Sequence, residues 1–296
     1  MFQALLEVIF PVVFITLVGT ALGRNLKIDQ GSISKIVLFA LAPSLAFDNL
    51  SKSTVQASVA FSIISAYICF EVIMGLIAWI SSPDINPSTR RAMVTSVITG
   101  NNGNFGLPIS LFAFGKPGLE LSLVIFTISV FFTFLIGPAI LSESQDWRSR
   151  LTAAFKLPLF WAASAGVLVN VLHVPIPIGL ERGIHLIGQA AIPILLLSLG
   201  LQIGQQGLPK PEGPIVRSSA LRLIIGPFVA FAFGKLFALS GLELAVLVLS
   251  AAMPTAVNAF LLASELNADS KTVAGTVVVT TVASLPVIAL VVTLFR

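Results

Sequence analysis

Charged residues are scarce in this chain of 296 residues, since Asp, Glu, Lys and Arg together make up only 10% of it. A soluble domain carries about 25% charged residues, which form much of the polar shell around its core. Hydrophobic residues make up 56% of the chain, and the mean hydropathy is +1.00. The sequence therefore lacks the side chains needed to cover a soluble core, and it predicts an integral membrane protein.

Cysteine and histidine are almost as rare, and their positions exclude several kinds of chemistry. Cys69, the single cysteine, lies in an apolar run and has no partner for an intramolecular disulfide, so we expect it to act as a packing residue. His173 and His185 have no cysteine or acidic neighbours at metal-ligand spacing. A Ser–His pair and a Gly-rich phosphate loop are also missing. The sequence therefore predicts no enzyme, no bound metal and no cofactor.

Apolar stretches of roughly 20 residues, the length of a membrane-spanning helix, recur along the chain. The breaks between them are too short for a separate soluble domain. The first stretch has no basic region before it, which favours a membrane span over a cleavable signal peptide. We predict an all-α membrane protein with about ten transmembrane helices, at residues 3–22, 31–50, 57–80, 89–114, 118–141, 157–173, 178–203, 214–238, 241–264 and 271–295.

Lys and Arg are distributed unequally between the two sides of this topology. Twelve of the 17 lie in the odd-numbered loops or at the adjacent helix ends, and five lie on the opposite side. Because cytoplasmic loops are enriched in basic residues, we expect a multi-pass protein of the plasma membrane with both termini outside. This topology signal accounts for the net charge of +4 without a nucleic-acid partner. Trp79 and Trp147 suit anchoring at the lipid interface.

The two halves of the chain share a pattern of prolines at a shift of about 150 residues. Pro43 aligns with Pro193, and Pro138 aligns with Pro286 at a shift of 148 residues. Five spans in each half, an odd number, place the second copy upside down in the membrane, as in the inverted repeats of secondary transporters. We predict a 5+5 inverted repeat, with a first repeat at 1–141, a cytoplasmic linker at 142–156 and a second repeat at 157–296.

The stretch SVITGNNGNFGLPISLFAFG, residues 96–115, occupies the middle of the fourth predicted span but is poorly suited to a helix. Glycine is a weak helix former, and Pro108 lacks an N–H and clashes with the carbonyl four residues before it. Within a membrane, irregular backbone is tolerated only where protein or a water-filled cavity satisfies its polar groups. We predict a broken helix that lines a cavity with Asn101, Asn102 and Asn104. The alternative is a kinked helix whose asparagines join neighbouring helices.

The corresponding stretch of the second half is LSAAMPTAVNAFLLASEL, residues 249–266. Pro254 falls opposite Asn104 and predicts a second broken helix, with Thr255 and Asn258 just beyond it. Two broken helices related by symmetry would cross near the midplane, and the half-helix after each break offers N–H groups and a positive dipole end to an anion. The asparagine amides suit a carboxylate, a protonated solute or, through their oxygens, Na⁺.

These two stretches resemble a known family. NNGNFGLPISLFAFG resembles the fourth span of the auxin efflux carrier family, and AAMPTAVNAFLLASELNADSKTVAGTVVVTTVASLPV is similar to its C-terminal signature. The resemblance implies a ten-span inverted repeat with a scaffold and a transport domain, and a homodimer through the scaffold. It implies organic-anion substrates: malonate- or malate-like dicarboxylates in bacterial members, and indole acetate in plant members. The short linker favours a compact bacterial member, located in the inner membrane.

Two ionisable residues lie deep in predicted spans. A carboxylate such as Glu71 in the third span costs about 2.5–3.5 kcal/mol to insert, which favours a functional role. For Glu71 we expect proton coupling or a place beside the substrate; the alternatives are a protonated side chain or an ion pair with a neighbouring helix. Arg222 is expected to extend its charge to the cytoplasmic surface; the alternative is direct contact with an anion. Hydroxyl groups of the fifth and tenth spans either face the crossing or join helices: Thr127, Ser129, Thr133, Thr276, Thr280 and Thr281.

Together these patterns predict a secondary active transporter that moves a small organic anion by alternating access, with H⁺ or Na⁺ as the candidate coupling ion. The alternative is a sodium-coupled solute symporter of the related bile-acid-symporter-like fold. A dedicated cation antiporter is disfavoured, because the crossing stretches contain no Asp or Glu before Glu265. Glu71 is the candidate coupling residue. The predicted substrate-binding residues are Asn101, Asn102, Asn104, Pro108, Pro254, Thr255 and Asn258.

Overall fold

The computed structural model describes residues 10–141, 155–156, 158–206 and 212–295, and helices dominate these residues. The predicted all-α membrane protein is confirmed. Linker residues 142–154, Trp147 and the beginning of the first predicted span lie outside the described residues. Within these described ranges, six helical stretches are long and apolar enough to cross a membrane: Gln30–Leu50, Ala57–Ile80, Asn102–Leu141, Ile178–Gln205, Gly213–Leu236 and Ser270–Phe295.

Helical residues overlap each of the ten predicted spans, and the fourth and ninth predicted spans are each divided into two helical parts. One long helix carries the chain from the fourth predicted span into the fifth, across a turn at Gly115. The φ of Gly115 is 67°, in the left-handed region that favours glycine. In chain order the helices are α1 (Phe10–Asn25), α2 (Gln30–Leu50), α3 (Ala57–Ile80), α4 (Pro87–Ile98), α5 (Leu107–Leu141), α6 (Pro158–Val171), α7 (Ile178–Gln189), α8 (Ala191–Gln206), α9 (Gly213–Leu236), α10 (Gly241–Ala251), α11 (Val257–Glu265) and α12 (Ser270–Phe295).

Three prolines each follow a widened, π-helical turn that ends two residues before the ring. A proline ring clashes with the carbonyl four residues back and removes a donor, and a wider turn accommodates both effects. Such turns are frequent at functional sites. They are Val37–Leu41 before Pro43, Asn102–Gly106 before Pro108, and Leu221–Ile225 before Pro227.

Glycines allow α1 and α8 to pack at very close range. Gly19 and Gly23 of α1 face Gly200 and Gly204 of α8, and a Cβ added to Gly19 would lie 2.3 Å from the backbone oxygen of Leu197. This small-xxx-small spacing is typical of membrane helices, because close backbone contact replaces the hydrophobic effect as the source of attraction. A second close pair is formed by α2 and α6, so that α1, α2, α6, α7 and α8 make up one packed group, which we call the panel.

The remaining helices form a second group, the core bundle, around the largest apolar cluster. Tyr67, Phe70 and Met74 on α3 are almost fully buried in it, together with Leu247 and Leu249 on α10. The two interrupted helices, α4 with α5 and α10 with α11, lie in this bundle, and α5 also contacts α2 and α6. The site described next therefore lies where the core bundle meets the panel.

Candidate solute-binding site

The first interruption separates α4 from α5. Helix α4 ends at Ile98, and Thr99 leaves the helical region with φ −107° and ψ 88°. Asn101 then caps the next helical segment, because its side-chain oxygen accepts a hydrogen bond from the N–H of Asn104 at 3.1 Å. An asparagine in this position stabilises a helix start by about 1 kcal/mol. Asn101 therefore helps to determine where the helix resumes.

The second interruption separates α10 from α11. Helix α10 ends at Ala251, and Pro254 has no N–H with which to continue it. Helix α11 begins at Val257, and no described side chain caps its first N–H groups. The start of α11 thus presents backbone donors and a positive dipole end.

The two interruptions pair with each other as a short antiparallel bridge between Gly100 and Thr255. The N–H of Asn101 donates to the Pro254 carbonyl at 2.7 Å, and the N–H of Ala256 donates to the Thr99 carbonyl at 2.8 Å. This exchange satisfies backbone groups that a regular helix would have satisfied internally, which unwound backbone at membrane depth requires. The structure thus contains both breaks at the predicted stretches and brings them into contact.

Thr255 fixes the bridge from the side. Its hydroxyl donates to the Ser96 carbonyl at 2.8 Å, and its N–H donates to the hydroxyl of Thr280 at 3.0 Å. Thr255 and Thr280 are both fully buried. Of the hydroxyl groups left open by the sequence, Thr280 therefore supports the crossing, whereas Thr127 and Thr281 donate to carbonyls of their own helices.

A cavity of about 50 Å³ lies against the crossing, where the helical segments after both breaks begin. One water molecule needs about 10–15 Å³ by this measure, so the cavity holds three or four water-sized groups, about the size of a carboxylate. Its walls come from the core bundle on one side and from α2 and α8 of the panel on the other. The polar residues that line it are Gln30, Ser34, Asn101, Asn104, Ser129, Thr133, Ser198 and Asn258.

Only some of the predicted site residues reach this cavity. Asn101, Asn104 and Asn258 line it. Asn102 turns away, and its Nδ2 donates to the Tyr67 hydroxyl at 2.9 Å. The other predicted residues shape the breaks without lining the cavity: Pro108, Pro254 and Thr255.

Electrostatically, the cavity favours an anion without containing a full positive charge. The described residues that line it carry no ionisable side chain. Positive potential comes instead from the beginnings of two helical segments. The Nδ2 of Asn101 is buried and has no hydrogen-bond partner among the described residues. An unpaired buried donor costs about 1–3 kcal/mol, so this amide favours a ligand that supplies a hydrogen-bond acceptor.

The panel side of the cavity was not among the predicted site residues. Gln30 and Ser34 are four residues apart and so share one face at the start of α2, and Ser198 lies in an apolar stretch of α8. The Gln30–Ser34 spacing is a weak signal that the sequence does contain. Ser198 has no such signal, because lone serines are common in membrane helices as small packing residues.

Behind the crossing lies a buried ion pair between Glu71 on α3 and Arg222 on α9. The Glu71 Oε1 is 3.6 Å from the Arg222 Nη1, and both side chains have 0% exposure. The expectation that Arg222 extends to the cytoplasmic surface is therefore wrong. Backbone carbonyls at the ends of α4 and α10 bind its guanidinium inside the bundle, which gives it better partners than the lipid interface. For Glu71, the contact agrees with the alternative of an ion pair with a neighbouring helix.

A family model described as membrane transport protein matches residues 145–292, half of the chain. The chain belongs to this family. The resemblance to the auxin efflux carriers is thereby confirmed, and the protein is a multi-pass membrane transporter rather than an enzyme.

Similar proteins are themselves named as transporters. An uncharacterized transporter of Methanocaldococcus jannaschii is 25% identical over 96% of this chain and 97% of its own length. Another, of Methanothermobacter thermautotrophicus, is 27% identical over 96% of each chain. A Rhizobium meliloti protein named "Putative malonate transporter" is 22% identical over 86% of this chain and 83% of its own length. Similarity over nearly the whole chain extends the relationship beyond the C-terminal half.

Proposed function

We propose that the protein is a secondary active transporter that moves a small organic anion by alternating access and binds it in the cavity at the crossing. The observation that carries this proposal is the buried, unpaired amide of Asn101 at a neutral cavity where two helical segments begin. Donors without acceptors favour a ligand that supplies carboxylate oxygens. The name of the Rhizobium meliloti relative supports a short mono- or dicarboxylate as the substrate class.

In this proposal the predicted site residues divide into two roles. Asn101, Asn104 and Asn258 contact the anion from the cavity wall. The others hold the two breaks in position from behind: Asn102, Pro108, Pro254 and Thr255.

The proposed architecture is ten spans in two inverted repeats, residues 1–141 and 157–296, joined by the linker 142–156. Helix packing supports it, because α1 of the first half packs on α8 of the second, and α2 of the first half packs on α6 of the second. Such an exchange of partners is what a two-fold axis in the membrane plane would produce. The hydrogen bonds of the Gly100–Thr255 bridge are related in the same way.

The proposed location is a bacterial inner membrane. In the conformation described here, we propose that the cavity faces the cytoplasm. Gln30 and Ser34 of the cavity lie in the first turns of α2, directly after the loop that contains Lys27 and follows Arg24 in the last turn of α1. Under the positive-inside rule this loop is cytoplasmic, which places the termini outside. Ser198, in the middle of α8, lines the same cavity.

Proton coupling through Glu71 is part of the proposal, and it has its own test. The titratable groups that face Glu71 are Tyr67, one turn earlier on α3, and Arg222. Replacing Glu71 by glutamine keeps the shape of the side chain but removes its titratable proton. We expect uptake by Glu71→Gln in proteoliposomes to become independent of pH between about 5 and 8, where wild-type uptake varies. A variant profile that matches the wild type would remove Glu71 from the coupling.

The function itself is tested with purified protein in detergent, screened against mono- and dicarboxylates with and without Na⁺ at two pH values. A ligand at 100 times its Kd stabilises the folded state by about 2.7 kcal/mol. For a protein of this length that corresponds to a rise in melting temperature of about 5 °C. The matched control is Asn101→Ala, in which the rise should disappear. Equal melting temperatures with every carboxylate would contradict the proposal.

A further inference from the structure

Arg222 is completely buried in the membrane part of the protein, yet its guanidinium is well bonded. Its Nη1 donates to the Val97 carbonyl at 2.8 Å, its Nη2 to the Ser250 carbonyl at 3.3 Å, and its Nε to the Met253 carbonyl at 3.0 Å. Val97 lies at the end of α4, Ser250 lies at the end of α10, and Met253 lies two residues beyond that end. One side chain therefore binds the C-terminal ends of both half-helices.

The groups around Arg222 are the ligands of a cation site. Three backbone carbonyls converge on the guanidinium, and the Glu71 carboxylate lies 3.6 Å from it. The C-terminal end of a helix carries about half a negative charge, so two such ends balance about one positive charge. In transporters with broken helices, unwound carbonyls and half-helix C-termini are the groups that coordinate Na⁺.

The guanidinium of Arg222 occupies the space that a side chain at residue 100 would need. A Cβ added to Gly100 would lie 1.9 Å from the Nη2 of Arg222 and 2.9 Å from its Cζ. The π-helical turn Leu221–Ile225, ahead of Pro227, carries Arg222 on α9. The absence of a side chain at Gly100 and the widened turn on α9 together let the guanidinium reach the crossing.

We infer that Arg222 is a resident cation that permanently occupies the cation site of the crossing, so that the transporter works without bound Na⁺. The positive charge that stabilises the two half-helix ends is covalently attached and does not exchange with the solvent. This inference rests on the proposed function only where it concerns transport. Its main readout, the effect of cations on stability, needs no transported anion.

The first test replaces Arg222 by alanine and compares melting temperatures of the purified protein in choline, sodium and millimolar guanidinium chloride. Wild type should melt at the same temperature in choline and sodium. Arg222→Ala should melt about 10 °C lower in choline, because removal of one member of a buried pair leaves uncompensated groups. Guanidinium should restore at least half of that loss, since it replaces the missing group. The matched control is Arg217→Ala, an exposed arginine on the same helix that binds Asp84, and guanidinium should not stabilise it.

Selective stabilisation of the wild type by Na⁺ would overturn the inference, and so would an Arg222→Ala protein that guanidinium does not stabilise. If the alanine variant does not fold, Arg222→Lys and Arg222→Gln replace it. The lysine variant keeps the charge and should melt well above the glutamine variant, and equal melting temperatures would count against a resident cation. Uptake into proteoliposomes by the wild type should be equal in sodium and choline. A failed carboxylate screen with successful guanidinium rescue would reject the proposed substrate while leaving the resident cation in place.

Discussion

The two interrupted helices exchange backbone hydrogen bonds reciprocally but have very different sequences. The first break, residues 99–106, reads TGNNGNFG, with three asparagines and three glycines, whereas the second, residues 252–256, reads AMPTA. Each contributes one N–H and one carbonyl to the bridge between Gly100 and Thr255. A proline or a few glycines are thus enough to break a helix, whereas the proposed binding of a solute also requires side-chain amides.

The difference also appears in how each new helical segment begins. Asn101 caps the first segment with its side chain, while the second has no side-chain cap among the described residues. The first break therefore combines side-chain and backbone donors, and the second relies on backbone donors and on Asn258, in the first turn of α11. We expect substitutions in the first break to have the larger effects on solute binding.

The largest expected effect comes from giving Gly100 a side chain, which Thr255 on the other strand of the bridge already has. Gly100→Ala puts a methyl group 1.9 Å from the Nη2 of Arg222. The buried guanidinium can move away only by giving up hydrogen bonds to backbone carbonyls of α4 and α10. We expect a loss of at least about 3 kcal/mol of stability, comparable to breaking a buried ion pair. Little folded protein should be recovered by size-exclusion chromatography in detergent.

The matched control for this substitution is Thr255→Val on the other strand of the bridge. It removes one hydrogen bond to the Ser96 carbonyl without adding bulk, which costs about 1 kcal/mol. A Gly100→Ala protein as stable as Thr255→Val would show that the arginine does not need this space.

The second expected effect concerns Asn101. Alanine at this position removes both the helix cap and the unpaired amide on the cavity. We expect saturable uptake to fall more than about 100-fold, because a hydrogen bond to a charged ligand contributes about 1.5–3 kcal/mol and the cap a further 1 kcal/mol. Uptake of the proposed carboxylate into proteoliposomes measures this. The comparison variant is Asn102→Ala, whose amide faces Tyr67 instead and whose KM should change little. Equal losses in the two variants would contradict the assignment.

Much of this contrast could be predicted from the sequence, because it depends on residues with strong local effects. Pro254 and the glycines around Asn101 cannot continue a helix, so the breaks follow from the backbone alone. The environment of Arg222 could not be predicted, since its partners are carbonyls of Val97, Ser250 and Met253. Backbone carbonyls are present at every residue, and only the fold determines which of them are free.

The sequence alone assigns all three asparagines of the first break, Asn101, Asn102 and Asn104, to the solute-binding site. Side chains one residue apart on a helical turn point in different directions, so Asn101 and Asn102 cannot both face one cavity. The π-helical turn Asn102–Gly106 changes the direction of each residue relative to a regular helix. Residue type therefore indicated where the helix breaks, whereas the structure was needed to show which asparagines line the cavity.

A smaller effect is expected at Asn258, the cavity amide after the second break. Since α11 also presents backbone donors there, Asn258→Ala should raise the KM for the carboxylate about 10-fold, which corresponds to one hydrogen bond of about 1.4 kcal/mol. The maximal uptake rate should change little. A loss as large as that of Asn101→Ala would mean that the two breaks contribute equally to binding.

The smallest effect tests how the far ends of the two interrupted helices are held together. Asp269, in the loop after α11, accepts hydrogen bonds from the hydroxyls of Thr89 on α4 and Thr272 on α12, each at 2.7 Å. Burial raises the pKa of Asp269, but these hydrogen bonds lower it further, so that its pKa lies below the ordinary value. The carboxylate therefore stabilises the fold above the pKa of the unfolded state, about 3.9, and this contribution is lost as the pH falls through the lower folded-state value.

Asp269→Asn should accordingly melt about 2–4 °C below the wild type at pH 7, a loss of about 1 kcal/mol for a partly exposed group. The gap should narrow as the pH falls below about 4, where the wild-type carboxyl also becomes neutral. Melting curves in detergent at a series of pH values measure both quantities. Because Asp269 is not one of the residues that line the cavity, carboxylate binding by the variant should be unchanged at neutral pH. A pH-independent gap would mean that the loop is held by shape rather than by the charge of the Asp269 carboxylate.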